Sequence, residues 1–231
     1  MSQDLFRQNY FWIRRLHSLS GVLPIGGFLL VHLFTNAYSR NPHAFNEHVK
    51  QLNETPLVQF IEYGAIIAPI AFHAALGLWM ALRMDMNQTQ YGNYRNWMYF
   101  LQRISGVFVM AFILFHLIHF RIGAEEAFKA THLPMAAHPG AVAVGAPTYD
   151  PYRTIAQGLQ TSWWIVPFYY AGIITSAFHF ANGLWSFCVT WGITIGRRSQ
   201  LLMSYATMAV FLGISALGCY ALGGFLTTHT Q

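Results

Sequence analysis

Five stretches of this sequence, near 19–38, 58–82, 101–122, 163–190 and 201–226, are apolar over about twenty residues or more. A helix rising about 1.5 Å per residue needs about 20 residues to cross the hydrocarbon core of a bilayer. Only 9% of the residues are charged and 55% are hydrophobic, whereas soluble domains carry about 25% charged residues. The expected fold is therefore an all-α integral membrane protein with five transmembrane helices, forming one membrane domain over 1–231. The opening "MSQDLFRQNYFWIRRLHS" runs into a full-length apolar segment, so it does not read as a cleavable signal. The segment 123–162, rich in Ala, Gly and Pro, is expected to be an external loop.

Basic residues orient such a chain. Arg7, Arg14, Arg15, Arg83, Arg95, Arg103, Arg197 and Arg198 fall on one side of the five spans; Arg40, Lys50, Arg121, Lys129 and Arg153 fall on the other. The excess places the N-terminus in the cytoplasm and the C-terminus outside. The cations form no tract, so nucleic acid is not an expected partner. The two cysteines, Cys188 and Cys219, lie in apolar runs and make no zinc, iron–sulfur or covalent heme motif. No Rossmann fingerprint or Walker motif supplies a nucleotide or flavin site.

Histidine at membrane depth is costly and usually functional. His32, His73, His116 and His179 lie within the first four spans; the fifth has none. His32 precedes Asn41 by 9 residues and His116 precedes Glu125 by 9, which sets both about 14 Å in from the outer ends of their helices. His73 follows Pro56 by 17 residues and His179 follows Trp163 by 16, about 25 Å in from the same side. The four form two pairs about 11 Å apart in depth. Two bis-histidine hemes stacked across the membrane require that arrangement, and iron so ligated has no open position, which points to electron transfer. For any one histidine the alternative is a helix–helix hydrogen bond.

An internal echo supports the pairing. "FHAALGLW" at 72–79 and "FHFANGLW" at 178–185 agree at six of eight positions. Gly77 and Gly183 follow each histidine by four residues, on the same helix face, and offer a flat shelf for a porphyrin; small-residue helix packing is the alternative. "LHSLSGV" ahead of His32 and "QRISGV" ahead of His116 form a weaker echo. The first four helices then read as a heme-binding bundle with an approximate two-helix repeat, pairing His32 with His116 and His73 with His179. His119, one turn beyond His116, is left for a quinone, a propionate or a neighbouring helix. His17 and Ser18 lie about 21 Å further in than His32, where they could hold propionates of the inner heme or, for Ser18, cap a helix. Glu62 lies near the outer edge of the second span, to take protons from a quinol or to reach water.

These motifs resemble the two-heme cytochrome b membrane anchor of succinate:quinone oxidoreductases and fumarate reductases. The resemblance covers nearly the whole chain and rests on "RRLHSLSGV" with His32, "PIAFHAALG", "RNWMYFLQRISG" with His116, and "FHFANGLWSFCVTWGIT". It implies two heme b groups, ligated first with third and second with fourth. His17 and Ser18 match positions near the inner propionates. It implies docking, on the cytoplasmic side of a bacterial inner membrane, to an iron–sulfur subunit that joins a succinate-oxidising flavoprotein. The anchor does not itself oxidise succinate; electrons reach a quinone, typically menaquinone, near the outer heme. Higher oligomers of the whole complex are compatible with it. Two positions depart from fumarate reductase members that carry a glutamate and a lysine: Ala177 and Thr190 stand there instead, which favours succinate dehydrogenase. The alternatives are the diheme cytochrome b of a fumarate reductase, hydrogenase or formate dehydrogenase, and a transporter using histidines as proton relays. A transporter would carry an inverted repeat, whereas these copies keep one orientation.

Overall fold

The computed structural model describes residues 2–83, 89–122 and 150–227, and among them every regular element is a helix. Four are long and apolar enough to cross a membrane: α1 (Asn9–Arg40, within a helical run starting at Ser2), α3 (Val58–Leu82), α4 (Tyr94–Phe120) and α7 (Arg197–Thr227). Between them lie α2 (Pro42–Asn53), α5 (Pro151–Leu159) and α6 (Ile165–Thr190). The fifth expected crossing falls on α6. At 26 residues it has the length, but Tyr169, Tyr170, His179 and Asn182 dilute its apolar run, and by composition it does not join the other four. Packing explains this. Helix α6 sits among α1, α4 and α7, so its polar groups meet protein rather than lipid.

Helices α1, α3, α4 and α6 pack in a ring, each against the next, with α6 closing on α1; α7 lies outside, against α6 and α1. Phe34, Leu114 and Leu212 are each about 60% exposed on the outer surface (59, 61 and 58%). Large apolar side chains facing outward on apolar helices are what lipid contact demands.

Three of the ring helices are not plain α-helices. A π-helical turn occupies Gly21–Ile25 in α1, with Pro24 inside it. Others occupy Ile61–Ile67 in α3 and Leu117–Ile122 at the end of α4. Proline has no N–H and its ring crowds the preceding turn, and a wider turn accommodates it. Helix ends are marked locally. The side chains of Asn41, Asn93 and Asp150 accept from Ala44, Asn96 and Arg153 N–H groups, and Pro42 and Pro151 fill first-turn positions, as caps require. Gly192, at φ 72°, ends α6, with Ile193 N–H bonded to Cys188 C=O at 2.8 Å. That left-handed position suits glycine.

The segment expected as an external loop divides in two. Residues 123–149 lie outside the described residues, while Pro151–Leu159 forms the amphipathic helix α5. With α2 it caps one end of the bundle. Phe45, Tyr152, Ala156, Leu159 and Phe225 form a buried core there. Asn46 holds the two caps together, donating to Asp150 Oδ1 at 2.8 Å and accepting Tyr152 N–H at 2.9 Å. The Tyr152 hydroxyl reaches Gly224 C=O at 3.2 Å, and burial pushes its phenol upward.

At the far end, arginines lie over aromatic rings: Arg15 over Phe11 and Trp191, Arg83 over Trp79, Arg95 over Trp185 and Arg103 over Tyr99. Arginine and aromatic side chains together suit the boundary between lipid and water.

Candidate functional site

The ring of helices encloses two histidine pairs at different depths. At the capped end His32 of α1 faces His116 of α4, ring centroids 5.8 Å apart with planes at 84°. Further down, His73 of α3 faces His179 of α6 at 6.3 Å and 89°. Among the described residues no group of three or more His, Cys, Asp or Glu side chains is placed to hold a metal ion.

Metal–imidazole bonds of about 2 Å on opposite sides of one ion put the two ring centroids about 6 Å apart. Both pairs have that separation. Each member of a pair also comes from a different helix, so an ion between them would join two spans. His116 keeps Nδ1 buried with no hydrogen-bond partner. The residues present fit a bis-histidine heme at each depth.

The capped-end pair lies among aromatic rings. Phe28 lies against His32, and Phe112, Phe120 and Tyr169 against His116. Asn36, one turn beyond His32, donates to the His32 carbonyl at 2.7 Å and lies 3.4 Å from its Nε2. His119 does not face His32; its Nδ1 meets the Tyr169 hydroxyl at 3.1 Å, linking α4 to α6, and its ring stacks on Phe120.

The deeper pair is held by polar groups. Ser20 Oγ lies 3.2 Å from His73 Nδ1, and Ser105 Oγ lies 3.1 Å from His179 Nδ1. The His17 carbonyl also lies 3.0 Å from His73 Nδ1. Each ring rests on a glycine of the helix beside it. A Cβ on Gly21 would stand 2.5 Å from His73 Cε1, and one on Gly106 would stand 2.8 Å from His179 Cε1.

Gly77 and Gly183 face corresponding partners. The His17 ring lies 3.1 Å from where a Gly77 Cβ would be, and Gln102 Nε2 lies 3.3 Å from that of Gly183. His17 stands three residues before Ser20, as Gln102 does before Ser105. The His17 ring stacks on His73 at 3.9 Å. Gln102 Nε2 is 3.4 Å from His179 Nε2 and donates to the His179 carbonyl at 3.0 Å, while Asn182 donates to Gln102 Oε1 at 2.7 Å. Ser18 donates to Arg15 C=O at 2.9 Å and accepts the Trp191 indole N–H at 3.2 Å. Glu62 lies half-buried in the π turn of α3, on the same helix as His73 and eleven residues before it.

Sequence reasoning missed Ser20, Ser105, Gln102, Gly21 and Gly106 as parts of this site. Their signal was present in "HSLSG" and "QRISG", read only as an echo between two helices.

Compared with known proteins, the chain is 34% identical over 217 residues to the succinate dehydrogenase cytochrome b558 subunit of Bacillus subtilis (strain 168), covering 94% of this chain and 97% of that one. No protein-family model matches the chain, and no solved structure matches it.

Proposed function

The chain belongs to the cytochrome b membrane subunits of succinate dehydrogenase, and from that membership we propose that it holds two b hemes, one between His32 and His116 and one between His73 and His179. A cytochrome b subunit of this enzyme implies heme b, together with a flavoprotein and an iron–sulfur subunit. The observation that carries the two-heme reading is the pair of cross-helix histidine contacts, at 5.8 and 6.3 Å. Heme b ligated on both faces supplies one-electron transfer and leaves no position for oxygen.

The protein's own part is to place and isolate the ligands. Helices α1 and α4 set one pair and α3 and α6 the other, so the ring cannot shift one helix without misaligning a pair. Phe28, Phe112, Phe120 and Tyr169 surround the capped-end pair with rings rather than water. Gly21 and Gly106 let the deeper rings approach the neighbouring backbone. His17 and Gln102, placed against Gly77 and Gly183, are the side chains a porphyrin on those shelves would meet first. Ser18 and His17 remain the candidates for propionate contact.

In the orientation we favour, the far end with its arginine and aromatic residues faces the cytoplasm of a bacterial inner membrane and receives the iron–sulfur subunit. The capped end, with the C-terminus, faces outward, and α6 makes the fifth crossing. A quinone, of the menaquinone class, then reacts near the capped-end pair, with Glu62 and His119 as its candidate proton partners. Ala177 is 0% exposed, packed with Leu33 and Ile214. A carboxylate path on that face of α6 has neither the side chain nor the space, which supports succinate oxidation over fumarate reduction.

The test is a heme count with a reduced-minus-oxidised spectrum on protein purified from membranes. Two b hemes per chain are expected, with the flavoprotein and iron–sulfur subunit in the same preparation. One heme, or none, would sink the two-heme reading.

A second result is expected from Gly106→Ala. The added methyl meets His179 Cε1 at 2.8 Å, and the ring cannot swing aside without leaving Ser105. Heme retention at the deeper pair should fall about tenfold, the lower end of the effect of disturbing a ligand's support. Heme content after detergent extraction measures it, with the capped-end heme as the internal standard.

A further inference from the structure

We propose that Ser20 and Ser105 are positioning residues that fix His73 and His179 as their Nδ1–H tautomers, so that each Nε2 carries the lone pair that iron would take; this rests on those histidines holding heme.

The assignment follows from counting protons. A serine hydroxyl has one to give. Ser20 donates its proton to the His17 carbonyl at 2.8 Å, and Ser105 donates its own to the Gln102 carbonyl at 3.1 Å. Each oxygen can therefore only accept from the imidazole beside it. His73 Nδ1 at 3.2 Å and His179 Nδ1 at 3.1 Å must be the donors. For His73 a second group agrees. The His17 carbonyl, 3.0 Å from the same nitrogen, has no proton to offer. With Nδ1 protonated, the other ring nitrogen carries the lone pair.

Room and polarity come from one dipeptide. Each serine immediately precedes the glycine on which the same ring rests, Ser20-Gly21 under His73 and Ser105-Gly106 under His179. The glycine admits the ring and the serine orients it. Ser105 is only 6% exposed, so water is poorly placed to replace its hydroxyl. The capped-end pair is built differently: His116 Nδ1 has no partner. An imidazole whose Nδ1–H is hydrogen-bonded is a more basic ligand, and a more basic ligand favours ferric iron.

Potentiometric titration of the purified complex, followed by heme absorbance and paired with a heme count, tests this. Ser105→Ala should keep two hemes and raise the potential of the deeper one alone. At fixed ambient potential its reduced-to-oxidised ratio should rise about tenfold, equivalent to about 59 mV for a one-electron couple. Ser20→Ala should move it less, because the His17 carbonyl remains as acceptor. Ser105→Thr, which keeps the hydroxyl, should restore the original value. Loss of the deeper heme in Ser105→Ala with retention in Ser105→Thr would support the same role. An unmoved potential in Ser105→Ala, or an equal shift in Ser105→Thr, would overturn it. Retention of both hemes in His179→Ala would instead overturn the ligand assignment beneath the proposal.

Discussion

His179→Ala should yield a protein with one b heme in place of the proposed two. The imidazole is a ligand of the deeper pair in our reading, and alanine offers iron nothing in its place. His73, 6.3 Å away across the ring of helices, would be the one imidazole of the pair left to hold a heme at that depth. The capped-end pair shares no ligand with the deeper one, so its heme should stay. The measurement is heme per chain in purified protein, together with the ferric low-spin signals in electron paramagnetic resonance, one of which should vanish. Because α6 also carries Ala177 and Ala181 into the core, a fold check by circular dichroism belongs with it. A folded variant retaining both hemes would refute the assignment.

Phe45→Ala should cost the protein about 3–5 kcal/mol of stability without touching either histidine pair. Phe45 is 2% exposed and lies edge-on to Tyr152 at 6.2 Å and to Phe225 at 5.1 Å. Removing its ring leaves a void between three helices, α2, α5 and α7, that meet only at the capped end. For a chain of this size the loss corresponds to a fall of about 10 °C or more in thermal midpoint. Helical ellipticity in detergent would report it, with heme content before heating unchanged. A shift of only a degree or two would show that the cap is not a unit of the fold.

Much of this architecture is legible in the sequence because a bilayer leaves few options. Lipid forces backbone hydrogen bonds inside each segment, so apolar length alone locates α1, α3, α4 and α7. Histidine depth follows from counting residues along those helices. The limits have equally physical reasons. Helix α6 carries its polar residues against other helices, so its composition understates its depth in the protein. The capping helices α2 and α5 are short and amphipathic, but Asn41-Pro42 and Asp150-Pro151 announce their starts. Ser20 and Ser105 look like ordinary helix serines bonded to carbonyls three residues back. Only the neighbouring helix shows that the remaining lone pair faces an imidazole. The π turns have the least signal of all, for Pro24 marks one and nothing in 61–67 or 117–122 distinguishes the others from plain helix.

Those turns have a bearing on what kinds of sequence change this protein can tolerate. An α-helix advances about 100° around its axis per residue, and a wide turn absorbs a residue that the regular winding would not. In α1 the wide turn at Gly21–Ile25 separates Ser20 from His32, and in α3 the one at Ile61–Ile67 precedes His73. Deleting a single residue from the regular winding between the wide turn of α1 and His32, such as Leu29, would leave the hydropathy, the span and the topology nearly untouched. It would nonetheless re-aim one half of the helix by about a quarter turn relative to the other, swinging His32 off its partner while Ser20 kept its own. In this bundle, residue number within a span is a rotational setting, and insertions or deletions invisible to hydropathy are the changes most able to separate the two pairs.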